Sequence, residues 1–78
     1  MTIGEYRVGI TFNPSNDDTV GKIKRVAADL IDLIKSISDS QEDFNHVFEI
    51  VRLKQLAMDA IEEGAMWAVK AATKGPMT

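Results

Sequence analysis

Residue types suited to holding an anion gather near the start of the chain. Lys22, Lys24 and Arg25 follow closely on Phe12, Asn13 and Ser15. Cations in the opening turns of a helix work against its macrodipole. A bound phosphate reverses that sign, because it meets free backbone N–H groups, the dipole and cationic side chains together. A nucleotide base stacks on an aromatic ring, and an Asn amide both donates and accepts hydrogen bonds. Phe12, Asn13, a helix start and Lys24 therefore have the makings of a nucleotide pocket. The same residues also read as scaffold: Phe12 as an apolar plug, Asn13-Pro14 as a turn and the lysines as solubilising groups. Tyr6 shares this ambiguity, since it can stack on a ligand or anchor the N-terminal arm. A second basic spot, Arg52-Leu53-Lys54, lies further along. Arg suits bidentate phosphate contact, and a symmetric assembly would gather copies of Arg52. Alternatively, Arg52 pairs with Glu49 or Glu42 on a surface.

Catalysis is hard to place. His46 is the only imidazole and there is no Cys, so an activated nucleophile lacks its usual base. A multi-His or thiolate metal centre, a disulfide and a Gly-rich phosphate loop are all missing from the sequence. Glu62-Glu63 and Asp17-Asp18 are adjacent pairs, which diverge on a helix and read as solvated faces or caps. We expect no enzyme, no cofactor and no metal.

These residues must be positioned by helices. Asn13 to Asp18 forms a turn and helix-start cluster, with Ser15 and Asp18 spaced as a capping box. Val20, Ile23, Ala27, Leu30, Ile34 and Ile37 repeat at intervals of three and four, a heptad seam that predicts a first helix over 16–38. A second helix is predicted over 41–74, stopped by Gly75-Pro76. It would be roughly 50 Å long against about 33 Å for the first, so a bend is expected near Phe44–Phe48. Residues 1–15 read as an extended arm and turn, because a lone strand over Glu5–Phe12 has nothing to pair with. The expected fold is a single all-α domain, a helical hairpin with a short N-terminal arm.

The second helix carries two apolar series. One is Phe44, Val47, Val51, Met58, Ile61, Ala65, Ala68 and Ala72, interrupted by Lys54. The other is Ile50, Leu53, Ala57, Ala60, Gly64, Trp67 and Ala71. One partner helix covers one stripe, and a chain of this size forms a small core. Both facts predict a homo-oligomer, with Trp67 as a core or interface anchor or, alternatively, a residue that stacks on a ligand. The net charge of −3 opposes binding to DNA or RNA polymers, which depends on many phosphate contacts. No apolar run reaches the ~20 residues of a membrane span, and no signal peptide is evident, so a reducing cytoplasmic setting is expected.

The blocks Glu-Tyr-Arg-Val (5–8), Phe-Asn-Pro-Ser (12–15), Asp18 to Val20, Ile23-Lys24 and Ala-Met-Trp-Ala-Val-Lys-Ala-Ala-Thr-Lys (65–74) resemble the phage anti-CBASS protein 2 family of cyclic-oligonucleotide sponges. The resemblance covers most of the chain and is thinnest over Gln41–Glu49. It implies a compact helical homo-hexamer without enzymatic activity. Such a protein binds cyclic dinucleotides in one kind of pocket and cyclic trinucleotides in another, keeping host CBASS effectors in the infected cell from being activated. Carried onto this chain, it implies Phe12 as the stacking aromatic, Asn13 and Ser15 as holding groups, and Lys24 on phosphate. Tyr6 competes for the aromatic role and Lys22 for the cationic one. Arg52 is the residue implied for the trinucleotide pocket. The rival from another class is an adaptor, a helical oligomer that binds a protein through its long helix. A phosphodiesterase is a weaker rival, for want of a metal centre or base.

Overall fold

The computed structural model describes residues 1–39 and 43–77. Three helices form: α1 (Ile3–Val8), α2 (Asp18–Lys35) and α3 (Phe44–Ala72). The fold is all-helical, with no strand among the described residues. Helices α2 and α3 make the hairpin, and α1 packs on both of them, mainly on α2.

The first difference from expectation is α1, which is a helix and not an extended arm. Thr2 caps it: its hydroxyl accepts from the Glu5 N–H at 3.1 Å, and the Glu5 carboxylate accepts from the Thr2 N–H at 2.8 Å. This reciprocal box satisfies two orphan donors at the helix start. Gly9 closes the helix in the left-handed region (φ 65°), which a glycine adopts without Cβ strain. The β-branched and aromatic residues of this stretch suggested extension, and the caps at both ends override them.

Helix α2 starts at Asp18, capped by Asp17, whose carboxylate accepts from the Thr19 N–H at 2.7 Å. The expected Ser15–Asp18 box does not form. Asn16 takes φ 56°, so the chain enters the helix after Ser15, and the Ser15 hydroxyl instead accepts from the Asp17 N–H. The helix ends at Lys35, where Ser36 turns its hydroxyl back onto the Leu33 carbonyl.

Helix α3 is unbroken from Phe44, with Asp43 as its N-cap and its carboxylate accepting from the Asn45 N–H. The Phe44–Phe48 stretch, expected as a bend, is its opening turn, where the two rings meet edge to face at 4.6 Å. The expected start at Gln41, the capping role of Ser40 and the pairing of Arg52 with Glu42 all lie outside the described residues. At its other end Thr73 caps the helix before Gly75 and Pro76.

The buried apolar core is Val20, Ala27, Ala28, Ile31 and Met58. The buried face of α2 is thus turned from the expected seam toward Lys24, Ala28 and Ile31, because α1 covers that side. The amide of Gly4 donates to the Asp32 carboxylate at 2.8 Å, and a Cβ on Gly4 would stand 2.1 Å from the Ala28 carbonyl oxygen. Only glycine permits this approach. Charge completes the docking. Arg7 bridges to Asp59 and Glu62 of α3, both at 2.7 Å, and Arg25 of α2 reaches Glu5 at 2.8 Å.

Lys54, which seemed to interrupt an apolar series, is buried. Its ammonium donates to the Lys35 carbonyl at 3.0 Å and to the Ile37 carbonyl, with Asp39 at 3.7 Å. It therefore satisfies carbonyls that the end of α2 leaves open.

The remaining seam is open. Ile23, Val26, Ala27 and Leu30 line a groove with Ala60, Ile61, Gly64, Ala65 and Ala68 of α3. Val26, Leu33, Leu53, Leu56 and Trp67 are exposed. Trp67 is 60% exposed, with its indole N–H toward Glu63 and Lys70 over its ring. The molecule measures 57 × 26 × 12 Å, and its shortest dimension is near one helix diameter.

Two predictions follow from the docking of α1. Gly4→Ala should lose about 1–3 kcal/mol in a denaturant titration, since backbone must move to admit the methyl group. Gly21→Ala, with nothing within 4 Å of its Cβ position, should gain about 0.4–1 kcal/mol. Equal effects at the two sites would contradict the packing. Glu5 is held well below its ordinary value, to about 2, by the Thr2 backbone N–H first and by Arg25 second. Its folded value lies below its unfolded one, so its contribution is complete above pH 4.5 and is lost as the pH falls from 4.5 to 2. The melting-temperature difference between the native chain and Glu5→Gln should therefore be constant above about pH 5 and shrink through that acid window.

Candidate functional site

The turn between α1 and α2 and the last turns of α3 enclose a hollow of about 220 Å³. Its walls are Phe12, Asn13, Pro14, Ser15, Val20, Lys24, Val69 and Thr73. The turn is built from its own hydrogen bonds. The Phe12 N–H donates to the Gly9 carbonyl at 2.9 Å, and the Asn16 N–H to the Asn13 carbonyl at 3.0 Å. The Asn13 amide donates to the Asp17 carbonyl at 3.0 Å, and its oxygen accepts from the Ser15 hydroxyl at 2.7 Å. These bonds orient the Asn13 and Ser15 side chains beside the hollow.

Phe12 is 70% exposed, so it is not the plug that the scaffold reading describes. Its ring stands open, with the Lys24 ammonium 5.5 Å from its centroid. Lys24 is only 8% exposed, and its ammonium donates to the carbonyls of Gly9, at 3.0 Å, and of Phe12. The hollow is otherwise apolar along Val20 and Val69, a surface on which a flat aromatic base can lie. Among the described residues no cluster of His, Asp and Glu could hold a metal ion, and no helix is long and apolar enough to cross a membrane.

Four of the residues singled out in the sequence, Phe12, Asn13, Ser15 and Lys24, come together here. Three do not. Tyr6 is 74% exposed on α1 and is not among the lining residues. Lys22 is exposed, two positions from both Val20 and Lys24, and residues so spaced do not share a helix face. Arg52 is exposed on α3, about 26 Å along the helix from Val69 by its rise per residue. Its guanidinium binds both carboxylate oxygens of Glu49, at 2.6 and 3.0 Å. That contact raises the Arg52 pKa and lowers that of Glu49. Arg25, grouped with the two lysines by sequence, is taken by Glu5 and Asp29.

Val69 and Thr73 went unnoticed in the sequence. They follow Phe12 by more than fifty residues, and only the hairpin brings them back. The Thr73 hydroxyl donates to the Val69 carbonyl at 2.8 Å, a bond within the last turn of α3. Their one sequence signal is that both fall in the Ala-Met-Trp-Ala-Val-Lys-Ala-Ala-Thr-Lys block.

No curated protein and no solved structure matches the chain significantly. The model of the Acb2/Tad1 hairpin domain matches residues 5–73. That span contains α1 from Glu5 onward, the whole of the α1–α2 turn, both long helices and every wall of the hollow. The chain belongs to the Acb2/Tad1 hairpin family, the anti-CBASS protein 2 family that its motifs resemble.

Proposed function

We propose that this protein is an anti-CBASS sponge, which binds cyclic dinucleotides and cyclic trinucleotides and withholds them from host effectors without hydrolysing them. Membership of the family supports the sponge role. The observation that carries the ligand class is the open Phe12 ring beside the oriented Asn13 and Ser15 side chains at the start of α2. An aromatic face for a base and polar groups for its edge form a set that fits a nucleotide, while the start of α2 is already capped by the Asp17 carboxylate. Arg52, far along α3, is the proposed contact for the trinucleotide. Sequestration needs only affinity and enough sites, and the single exposed imidazole, His46, stands outside the hollow.

The hollow of about 220 Å³ is smaller than the ~300–1,000 Å³ that encloses a typical small-molecule ligand. On this reading one protomer supplies only part of the ligand site. We assign the rest to neighbouring copies in a homo-hexamer, whose contacts would also cover the open apolar groove of α2 and α3. The same exposed groove favours the adaptor reading, in which another protein covers it.

Isothermal titration with cyclic di-AMP, cyclic GMP–AMP and cyclic tri-AMP separates these readings. Heat with at least one of them, and recovery of that ligand intact after heat denaturation, is the expected result. Phe12→Ala should weaken dinucleotide binding by about 1–3 kcal/mol, the loss of one stacked base, and Arg52→Ala should weaken the trinucleotide alone. Sedimentation should give six times the 8.6 kDa chain mass. No heat with any of the three would favour the adaptor, and a linearised product would favour a phosphodiesterase.

A further inference from the structure

Helix α1 is six residues long, and a helix of that length does not keep its shape in water on its own. Its caps and its docking must supply what length does not. Apolar packing supplies little of it. Gly4 is the buried residue of α1, Ile3 and Tyr6 are 44% and 74% exposed, and Val8 is half-buried. The side-chain hydrogen bonds between α1 and the hairpin, by contrast, all involve charged groups among the described residues. Arg7 bridges to Asp59 and Glu62 of α3. Glu5 accepts from Arg25 of α2, which Asp29 also holds. The Gly4 amide donates to the Asp32 carboxylate of α2 at 2.8 Å. The side chains of Arg25, Asp59 and Glu62 are partly open to solvent, and ion pairs in that position weaken as salt screens them. The hairpin differs, because it keeps the buried apolar side chains of Val20, Ile31 and Met58, whose burial does not depend on charge. Beyond α1 the Lys24 ammonium donates to the Gly9 and Phe12 carbonyls. An opening that begins at Thr2 therefore meets a fixed point at Gly9, where the backbone turns at φ 65°.

We propose that α1 is a charge-latched strap: it lifts from the α2–α3 hairpin and unravels as one unit, hinged at Gly9, more readily as ionic strength rises, while the hairpin stays folded. The inference concerns the chain without ligand and does not rest on the cyclic-nucleotide reading. Lifting and unravelling are one event, because the Thr2–Glu5 box cannot sustain so short a helix without docking. Arg7 is the latch toward α3, since its two bonds, both at 2.7 Å, are the side-chain hydrogen bonds that join α1 to that helix.

Amide hydrogen exchange of the full chain tests this, read by mass spectrometry on fragments covering α1 and the middle of α2 and corrected for the intrinsic rate at each salt concentration. At low salt the α1 fragment should be protected, yet exchange at least about tenfold faster than the α2 fragment, as a local opening does against a global one. At about 1 M sodium chloride, where the screening length falls to ~3 Å, exchange of α1 should rise about fivefold, the scale of one exposed ion pair. The α2 fragment should keep its rate. Arg7→Met retains much of the aliphatic stem, and it should speed α1 exchange by about fivefold at low salt and flatten its salt response. One common rate for both fragments would overturn the strap, and so would α1 exchange that is indifferent to salt. Exchange of α1 at the rate of an unfolded peptide at low salt would overturn it as well, because nothing would then be latched. Unchanged α1 exchange in Arg7→Met would overturn the latch. Should Arg7→Met not fold, the salt series on the native chain decides, because the first three contrary results are all read there.

Discussion

Two buried ammonium groups hold the joints between the helices. Lys24 ties the α1–α2 turn to the body of α2, and Lys54 ties the end of α2 to α3. A buried cation without partners is costly, and each of these meets backbone carbonyls that themselves lack helical partners. The exchange suits a short chain whose buried apolar core is Val20, Ala27, Ala28, Ile31 and Met58. A core of that size fixes the middle of the hairpin and leaves its two connections to be fixed by polar contacts. Substituting either lysine thus removes more than a surface charge.

The same shortage of core shapes the surface. A body 12 Å in its shortest dimension offers no second layer to cover the α2–α3 groove, and Val26, Leu33, Leu53, Leu56 and Trp67 stay exposed. Apolar area of this kind on a small chain marks an interaction face. In the proposed assembly the face that stabilises the hexamer and the wall that completes the ligand site come from the same neighbours. Folding, assembly and binding would then share contacts.

Much of this was legible in the sequence, for reasons that differ by residue. The spacing of Val20, Ile23 and Ala27 reports helical periodicity directly, and Gly75-Pro76 marks the end of the long helix through backbone chemistry. Phe12, Asn13 and Ser15 are close in sequence, so their meeting needed only a turn. Helix α1 is not in the sequence reading because β-branched and aromatic residues suggest extension there, while the Thr2–Glu5 box and the Gly9 stop that make it helical were not read as signals. The role of Lys54 was hidden because its partners are carbonyls, which no residue type announces. Lys22 and Lys24 looked alike until helical geometry put only Lys24 on the face of Val20. Val69 and Thr73 are contributed by a long-range contact that periodicity does not encode.

The central claim is that a ring-shaped phosphate messenger lies across Phe12 at the end of the hairpin where α1, α2 and the last turns of α3 meet. A proton–nitrogen NMR titration with cyclic GMP–AMP tests it most directly. The account predicts shifts concentrated on residues 12–15, Val20, Val69 and Thr73, with Ile34, Ile50 and Leu53 at the other end of the hairpin unmoved. Saturating ligand that leaves residues 12–15 unshifted, or shifts gathered at the Ile34–Leu53 end, would contradict it.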